Sequence, residues 1–164
     1  MKSTFSYRDF LPILVLGEGK RVTQGGTGNT QNSCGQSPHT LLLVEDAASV
    51  RKLLATILTL NNFDVIEAVN GEEALKKLAG KQPDLILSDI LMPIMDGREL
   101  LKRLKAQGFL ETIPVVMLSA DSDAKLEREL IGLGAAKLLN KLGSHAELLS
   151  SIKEIIRQFG IRDV

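Results

Sequence analysis

The feature that most limits what this chain can fold into is an alternation that begins at Leu41. Short apolar runs take turns with segments whose apolar residues recur at helical spacing. The runs are Leu41–Val44, Asp64–Ala68, Asp84–Ser88, Val115–Leu118 and Lys137–Asn140. Between and after them, five sets of residues mark amphipathic helices. They are Val50, Leu53, Leu54, Ile57 and Leu58; Ala74, Leu75 and Leu78; Leu100, Leu101 and Leu104; Leu126, Leu130 and Leu133; and Leu148, Ile152, Ile155 and Phe159. The runs lack the clean in–out alternation of a half-solvated sheet, so both faces are expected to be covered. Strand–helix–strand repeats require parallel pairing with right-handed crossovers. The predicted fold class is therefore α/β: a doubly wound five-stranded parallel sheet flanked by five helices.

In such sheets, ligands bind outside the carboxyl ends of the strands. That rule selects Glu45 and Asp46 after the first strand, Asp89 after the third, Ser119 after the fourth and Lys141 after the fifth. The stretch Leu85–Gly97 is the most telling. Its apolar run stops at Asp89, Met92-Pro93 breaks the chain, and Asp96-Gly97 opens the next helical pattern. Three carboxylates in one crevice are costly without a cation, because like charges raise one another's pKa. Oxygen ligands favour a hard ion, Mg²⁺ foremost. His39 and His145 fall outside the cluster, which argues against zinc. Ser119 adds a hydroxyl and Lys141 an ammonium. Acids, Mg²⁺, a lysine and a hydroxyl together suit a phosphoryl group: cations neutralise its oxygens while a nucleophile attacks in line. The nucleophile would be a carboxylate.

The first 40 residues differ from the rest. Gly17 to Pro38 is mostly Gly, Thr, Gln, Asn and Ser, which buries too little apolar surface to offset ordering entropy. Residues 1–40 are predicted to be a flexible, largely disordered leader with one apolar patch, Phe10–Leu16. Residues 41–160 form the domain and 161–164 a tail. Gly17-Glu18-Gly19-Lys20 is not a phosphate loop, since the earlier Gly and the following Ser or Thr are missing. Twenty basic and twenty acidic residues cancel, against bulk attraction to nucleic acid or anionic membrane. The single cysteine, Cys34, excludes an intramolecular disulfide and suits a reducing cytoplasm. Phe10–Leu16 falls far short of the roughly 20 apolar residues a membrane span needs. The expected location is cytoplasmic, with no membrane or direct nucleic-acid contact.

From Leu41 to Phe159 the chain resembles a bacterial two-component response-regulator receiver domain, the CheY-like, flavodoxin-like class. The motifs are Val44-Glu45-Asp46, Ser88-Asp89 with Met92-Pro93 and Met95-Asp96-Gly97, Leu118-Ser119-Ala120, and Asn140-Lys141. The resemblance implies strand order 2-1-3-4-5 and makes Asp89 the phosphoacceptor. It implies Mg²⁺ bound by Asp46, Asp89 and the backbone carbonyl of Leu91, with Glu45 acting through water. Ser119 would hydrogen-bond the phosphoryl group and Lys141 would pair with it. The phosphodonor would be a phosphohistidine on a sensor histidine kinase or histidine phosphotransfer protein. Phosphorylation would reshape the face of the fourth helix, fifth strand and fifth helix, changing binding of a downstream protein target. Such a domain is not a conventional enzyme: it catalyses its own phosphotransfer and autodephosphorylation.

Two positions depart from the family pattern. Leu142 stands where proline usually follows the lysine, so a trans Lys141–Leu142 bond is expected. Leu138 stands where a switch aromatic is common, so either another element relays the signal or the switch is weak. Leu91 and Asp121 are expected to admit or exclude the attacking water. The chain reads as a stand-alone receiver or as a piece of a larger protein. The alternative is a degenerate receiver that acts as a constitutive protein-binding module. A flavodoxin-like small-molecule binder is the weakest reading, because no phosphate-cradling loop follows the first strand.

Overall fold

The structure, a computed structural model, describes residues 38–121 and 123–161. Nearly all of the predicted leader, Cys34 and residues 162–164 lie outside the described residues. The elements in chain order are β1 (His39–Val44), α1 (Ala48–Leu60), β2 (Phe63–Ala68), α2 (Gly71–Leu78), β3 (Leu85–Asp89), α3 (Gly97–Ala106), β4 (Val115–Ser119), α4 (Ala124–Leu133), β5 (Lys137–Asn140) and α5 (His145–Gln158). A 3₁₀ turn at Phe109–Glu111 follows α3 and is too short to leave a periodic signal. All pairings are parallel and the sheet order is β2-β1-β3-β4-β5.

β1 already begins at His39, inside the stretch read as leader. Tertiary partners extend it. His39 pairs in register with Phe63, and the Thr40 amide donates to Asp84 Oδ2 at 2.8 Å.

The unbroken apolar runs have a direct structural cause: the sheet separates two cores. Leu42, Val44 and Ile86 face Leu78, Leu101, Leu104 and Leu130, from α2, α3 and α4. Leu41, Leu43, Leu85 and Leu87 face Leu54, Leu58, Ile152 and Ile156, from α1 and α5. Each such side chain contributes about 1.5–3 kcal/mol by leaving water; because both faces are apolar, a one-residue register slip would still place leucines in a core. The helix starts give the register further definition. Asn70, Asp96 and Asp123 each accept a backbone N–H in the first turn of α2, α3 and α4. Ser144 and Glu147 form a reciprocal capping box on α5. Gly134, at φ 111°, ends α4 in a conformation that favours glycine.

Charges mark both sheet edges. On β2, Asp64 and Glu67 are exposed. On β5, the Lys137 ammonium donates to Ser151 Oγ at 3.1 Å and reaches Glu154 at 3.5 Å.

Candidate functional site

β3 delivers Asp89 to the carboxyl end of the sheet, where the side chain is buried but for a small exposed remainder. Its Oδ1 accepts the Ile90 amide at 2.6 Å and the Leu91 amide at 3.4 Å. The strand end is also gripped from behind. Ser88 Oγ donates to the Asp89 carbonyl at 2.8 Å, and the Gly97 amide donates to the Ile90 carbonyl at 2.8 Å. Only glycine fits at residue 97, since a Cβ there would lie 2.3 Å from the Asp89 carbonyl oxygen.

Glu45 and Asp46 follow β1. Glu45 is 1% exposed, whereas Asp46 is open to solvent. α1 has no side-chain N-cap, because Ala47 stands at the capping position. Glu45 Oε1 accepts the Ala47 amide at 3.3 Å. Arg51 donates to the carbonyls of Glu45 and Asp46 at 2.8 and 3.2 Å and pairs with Glu67 on β2. Sequence reasoning did not single out Arg51. The available signal was a basic residue in the first turn of the helix, five residues after the second acid.

One carboxylate oxygen each from Glu45, Asp46 and Asp89 lie within 4.8 Å of one another. This all-oxygen, triply acidic set suits a hard divalent cation. The opposing charge comes from Lys141, whose Nζ lies 2.6 Å from Asp89 Oδ2 and 2.7 Å from Glu45 Oε2. Burial pushes the Glu45 carboxyl above its usual value, helped by the charge on Asp89 and opposed by Lys141. Burial works against the Lys141 ammonium, but its contacts with Asp89 and Glu45 outweigh that and hold its pKa up.

The Lys141–Leu142 bond is trans; no cis peptide occurs among the described residues. Asn140 does the turning instead. Its Oδ1 accepts the Leu142 amide at 2.7 Å and its carbonyl accepts the Gly143 amide at 3.1 Å. Lys141 thus meets Asp89 without a proline after it. Leu138 is buried in the core under α4 and offers no ring to swing.

Ser119 ends β4, and its Oγ accepts the Asp121 amide at 3.2 Å, leaving the hydroxyl proton for another acceptor. Asp89, Leu91, Arg98, Ser119, Asp121 and Lys141 line one cleft of about 290 Å³. The acid cluster and this cleft share Asp89. Leu91, on the cleft lining, is 75% exposed, and Ile94, three residues on, is 80% exposed. Ile94 has φ 71°, a strained conformation for a β-branched residue. Arg98 is the second residue that sequence reasoning missed. Its partner, Glu129, is too far along the chain for spacing to reveal.

With this geometry in place, the chain compares with known proteins as follows. The family model described as the response regulator receiver domain matches residues 41–153. The phosphate regulon transcriptional regulatory protein PhoB of Pseudomonas aeruginosa is 32% identical over 124 residues, 76% of this chain and 54% of that protein. The alkaline phosphatase synthesis transcriptional regulatory protein PhoP of Bacillus subtilis is 38% identical over 119 residues, 72% of this chain and 48% of that protein. The chain spans about half the length of both relatives. Among solved structures, the receiver domain of a signal transduction histidine kinase from Syntrophus aciditrophicus superposes with TM-score 0.68. It is 34% identical, covering 77% of this chain and 94% of that one. The chemotaxis response regulator CheY4 of Vibrio cholerae gives TM-score 0.68 at 29% identity, covering 72% and 98%.

Proposed function

The chain belongs to the response-regulator receiver family, and from that membership we propose that Asp89 accepts a phosphoryl group in a two-component or phosphorelay pathway. The observation that carries the assignment is the position of Asp89. Among the described residues it is the one carboxylate that belongs to the acid cluster, touches Lys141 and lines the cleft with Ser119.

The donor is a phosphohistidine on a sensor histidine kinase or a histidine phosphotransfer protein. A carboxylate oxygen of Asp89 attacks phosphorus in line with the P–N bond. The P–O bond forms as the P–N bond breaks, its electron pair returns to the imidazole, and an acyl phosphate remains on Asp89. Lys141 offsets charge on the phosphoryl oxygens, and the Ser119 hydroxyl donates to one of them. Asp46, Asp89 and the Leu91 carbonyl, with Glu45 through water, would hold Mg²⁺, which would supply further charge neutralisation. In the reverse branch, water attacks phosphorus, the bond to Asp89 breaks, and inorganic phosphate leaves. Leu91 and Asp121 stand in the cleft where side-chain bulk and charge set the access of that water. The output is altered binding to a downstream protein. The proposed location is cytoplasmic, and no described helix is long and apolar enough to cross a membrane.

Incubation with Mg²⁺ and acetyl phosphate should place an alkali-labile phosphate on the protein, absent in Asp89→Asn. No label from acetyl phosphate or from a panel of phosphorylated kinases would remove this reading.

The buried Leu138 favours a second reading, a module that binds its partner constitutively. Partner affinity that stays the same in Asp89→Asn and after phosphorylation would select it.

A further inference from the structure

Arg98 is the cleft residue to which phosphotransfer, as described above, gives no task. It follows Gly97 in the first turn of α3 and lines the same cleft as Asp89, Ser119 and Lys141. Its guanidinium is turned toward α4, where Nε donates to Glu129 Oε1 at 2.6 Å. Glu129 stands outside the cleft lining. A guanidinium carries five N–H donors, and among the described residues Arg98 makes this one side-chain hydrogen bond. The pair is solvent-facing, with side chains 31% and 45% exposed, and pairs of that kind are weak.

The helix on the far side of the pair is lightly anchored. Leu130 is the one fully buried residue of α4, with Leu126 and Leu133 partly buried beside it and a long Lys105–Gly132 hydrogen bond of 3.5 Å as the other tie to α3, whereas α3 buries Gly97, Leu100, Leu101 and Leu104. An acyl phosphate on Asp89 brings nearly two negative charges and three acceptor oxygens into the cleft. A planar guanidinium binds such a group through two parallel hydrogen bonds, better than it binds one exposed carboxylate oxygen through a single one.

We propose that Arg98 is a second cation for the phosphoryl oxygens, held in reserve by Glu129, and that its transfer from Glu129 to the phosphoryl group loosens α4 on α3. The proposal rests on Asp89 being the acceptor. It supplies a route out of the site that does not need an aromatic ring at Leu138. Arg98 binds the group after transfer and takes no part in bond making. Glu129 is a positioning residue, acting through Arg98.

The test uses the full chain with Mg²⁺ and beryllium fluoride as a non-covalent phosphoryl mimic. Binding is titrated, and hydrogen exchange of the α4 amides is followed in parallel. Wild type should show faster α4 exchange on binding. Arg98→Ala should bind about tenfold more weakly, the loss expected for a two-bond charged contact, and its α4 should exchange without the mimic as wild type does with it. Glu129→Gln should bind more tightly than wild type. The exchanged pair Arg98→Glu with Glu129→Arg should restore slow α4 exchange without restoring affinity. A merely structural ion pair would not separate the two readouts. Unchanged affinity in Arg98→Ala, together with an unchanged α4 response, overturns the proposal while Asp89 still labels with acetyl phosphate. If wild type neither binds beryllium fluoride nor labels, the acceptor assignment itself has failed and takes the proposal with it.

Discussion

The Lys141 ammonium sits between two carboxylates, 2.6 Å from Asp89 Oδ2 and 2.7 Å from Glu45 Oε2. Removing it leaves Glu45, 1% exposed, beside Asp89 with no cation. Breaking a fully buried pair costs about 3–5 kcal/mol; Lys141 keeps some solvent access, so Lys141→Met should cost about 2 kcal/mol. Urea unfolding checks this, and millimolar Mg²⁺ should recover part of the loss. Equal stability with and without Lys141 would show that the ammonium does not hold the acids together.

Asp89→Asn works in the other direction. It takes one negative charge out of a triply acidic cluster and keeps the Lys141–Glu45 contact. Labelling by acetyl phosphate should vanish, while stability should move by no more than about 1 kcal/mol, the scale of one hydrogen bond. A large fall in the urea midpoint would mean that Asp89 is structural.

Gly97→Ala should be far more damaging than its size suggests. The new methyl would lie 2.3 Å from the Asp89 carbonyl and 2.5 Å from Met117 Cε. Overpacking against backbone of this kind costs about 3 kcal/mol. Thermal unfolding measures the cost, and the labelling rate of the surviving folded protein should drop as Asp89 is displaced.

Ile94→Asn should stabilise the fold. Ile94 holds φ 71° with its side chain 80% exposed, so it gains little burial for its strain. Asn tolerates this region, and relief of the strain is worth about 1 kcal/mol. A lower melting temperature in the variant would refute the assignment of strain.

Glu73 gives a pH dependence. Its carboxylate pairs with Lys77 at 2.7 Å and accepts the Val69 amide at 2.8 Å. Lys77 and then Val69 hold its pKa below the usual 4.5. A depressed folded pKa contributes stability that is present above the unfolded value and lost as pH falls through the folded one. The pair is about a third exposed, so the contribution is under about 1 kcal/mol after solvent screening. Glu73→Gln should lower the urea midpoint at pH 7, and the gap to wild type should narrow as the pH is taken down from 4.5.

The elements were legible because each strand carries apolar residues for two cores and each helix carries one apolar stripe. The strand ends were legible because a parallel sheet gathers its carboxyl ends on one side. That is how Glu45, Asp46, Asp89, Ser119 and Lys141 could be named from order alone. What stayed hidden depends on contacts between distant positions. His39 joins β1 through Phe63 and lies buried beside Asp84, although its neighbours before residue 38 read as leader. Arg51 braces the two acids, and Arg98 meets Glu129, through side-chain reach that no local pattern encodes. The turn after Lys141 was read through the absence of proline. The Asn140 side chain that does the work lay in plain view, but its direction did not.

The charged edges of the sheet have a consequence for the fate of the protein in a crowded solution. An open strand edge is a template on which another chain can align and begin a fibril. At β5 the template is four residues long, and Lys137 sits on it with its ammonium fixed to Ser151 and Glu154. At β2, the exposed Asp64 sets a charge in the path of any second copy, and Glu67 adds a charged pair with Arg51. Among the described residues, both flanks of the sheet thus carry charged side chains that disfavour pairing with a second copy.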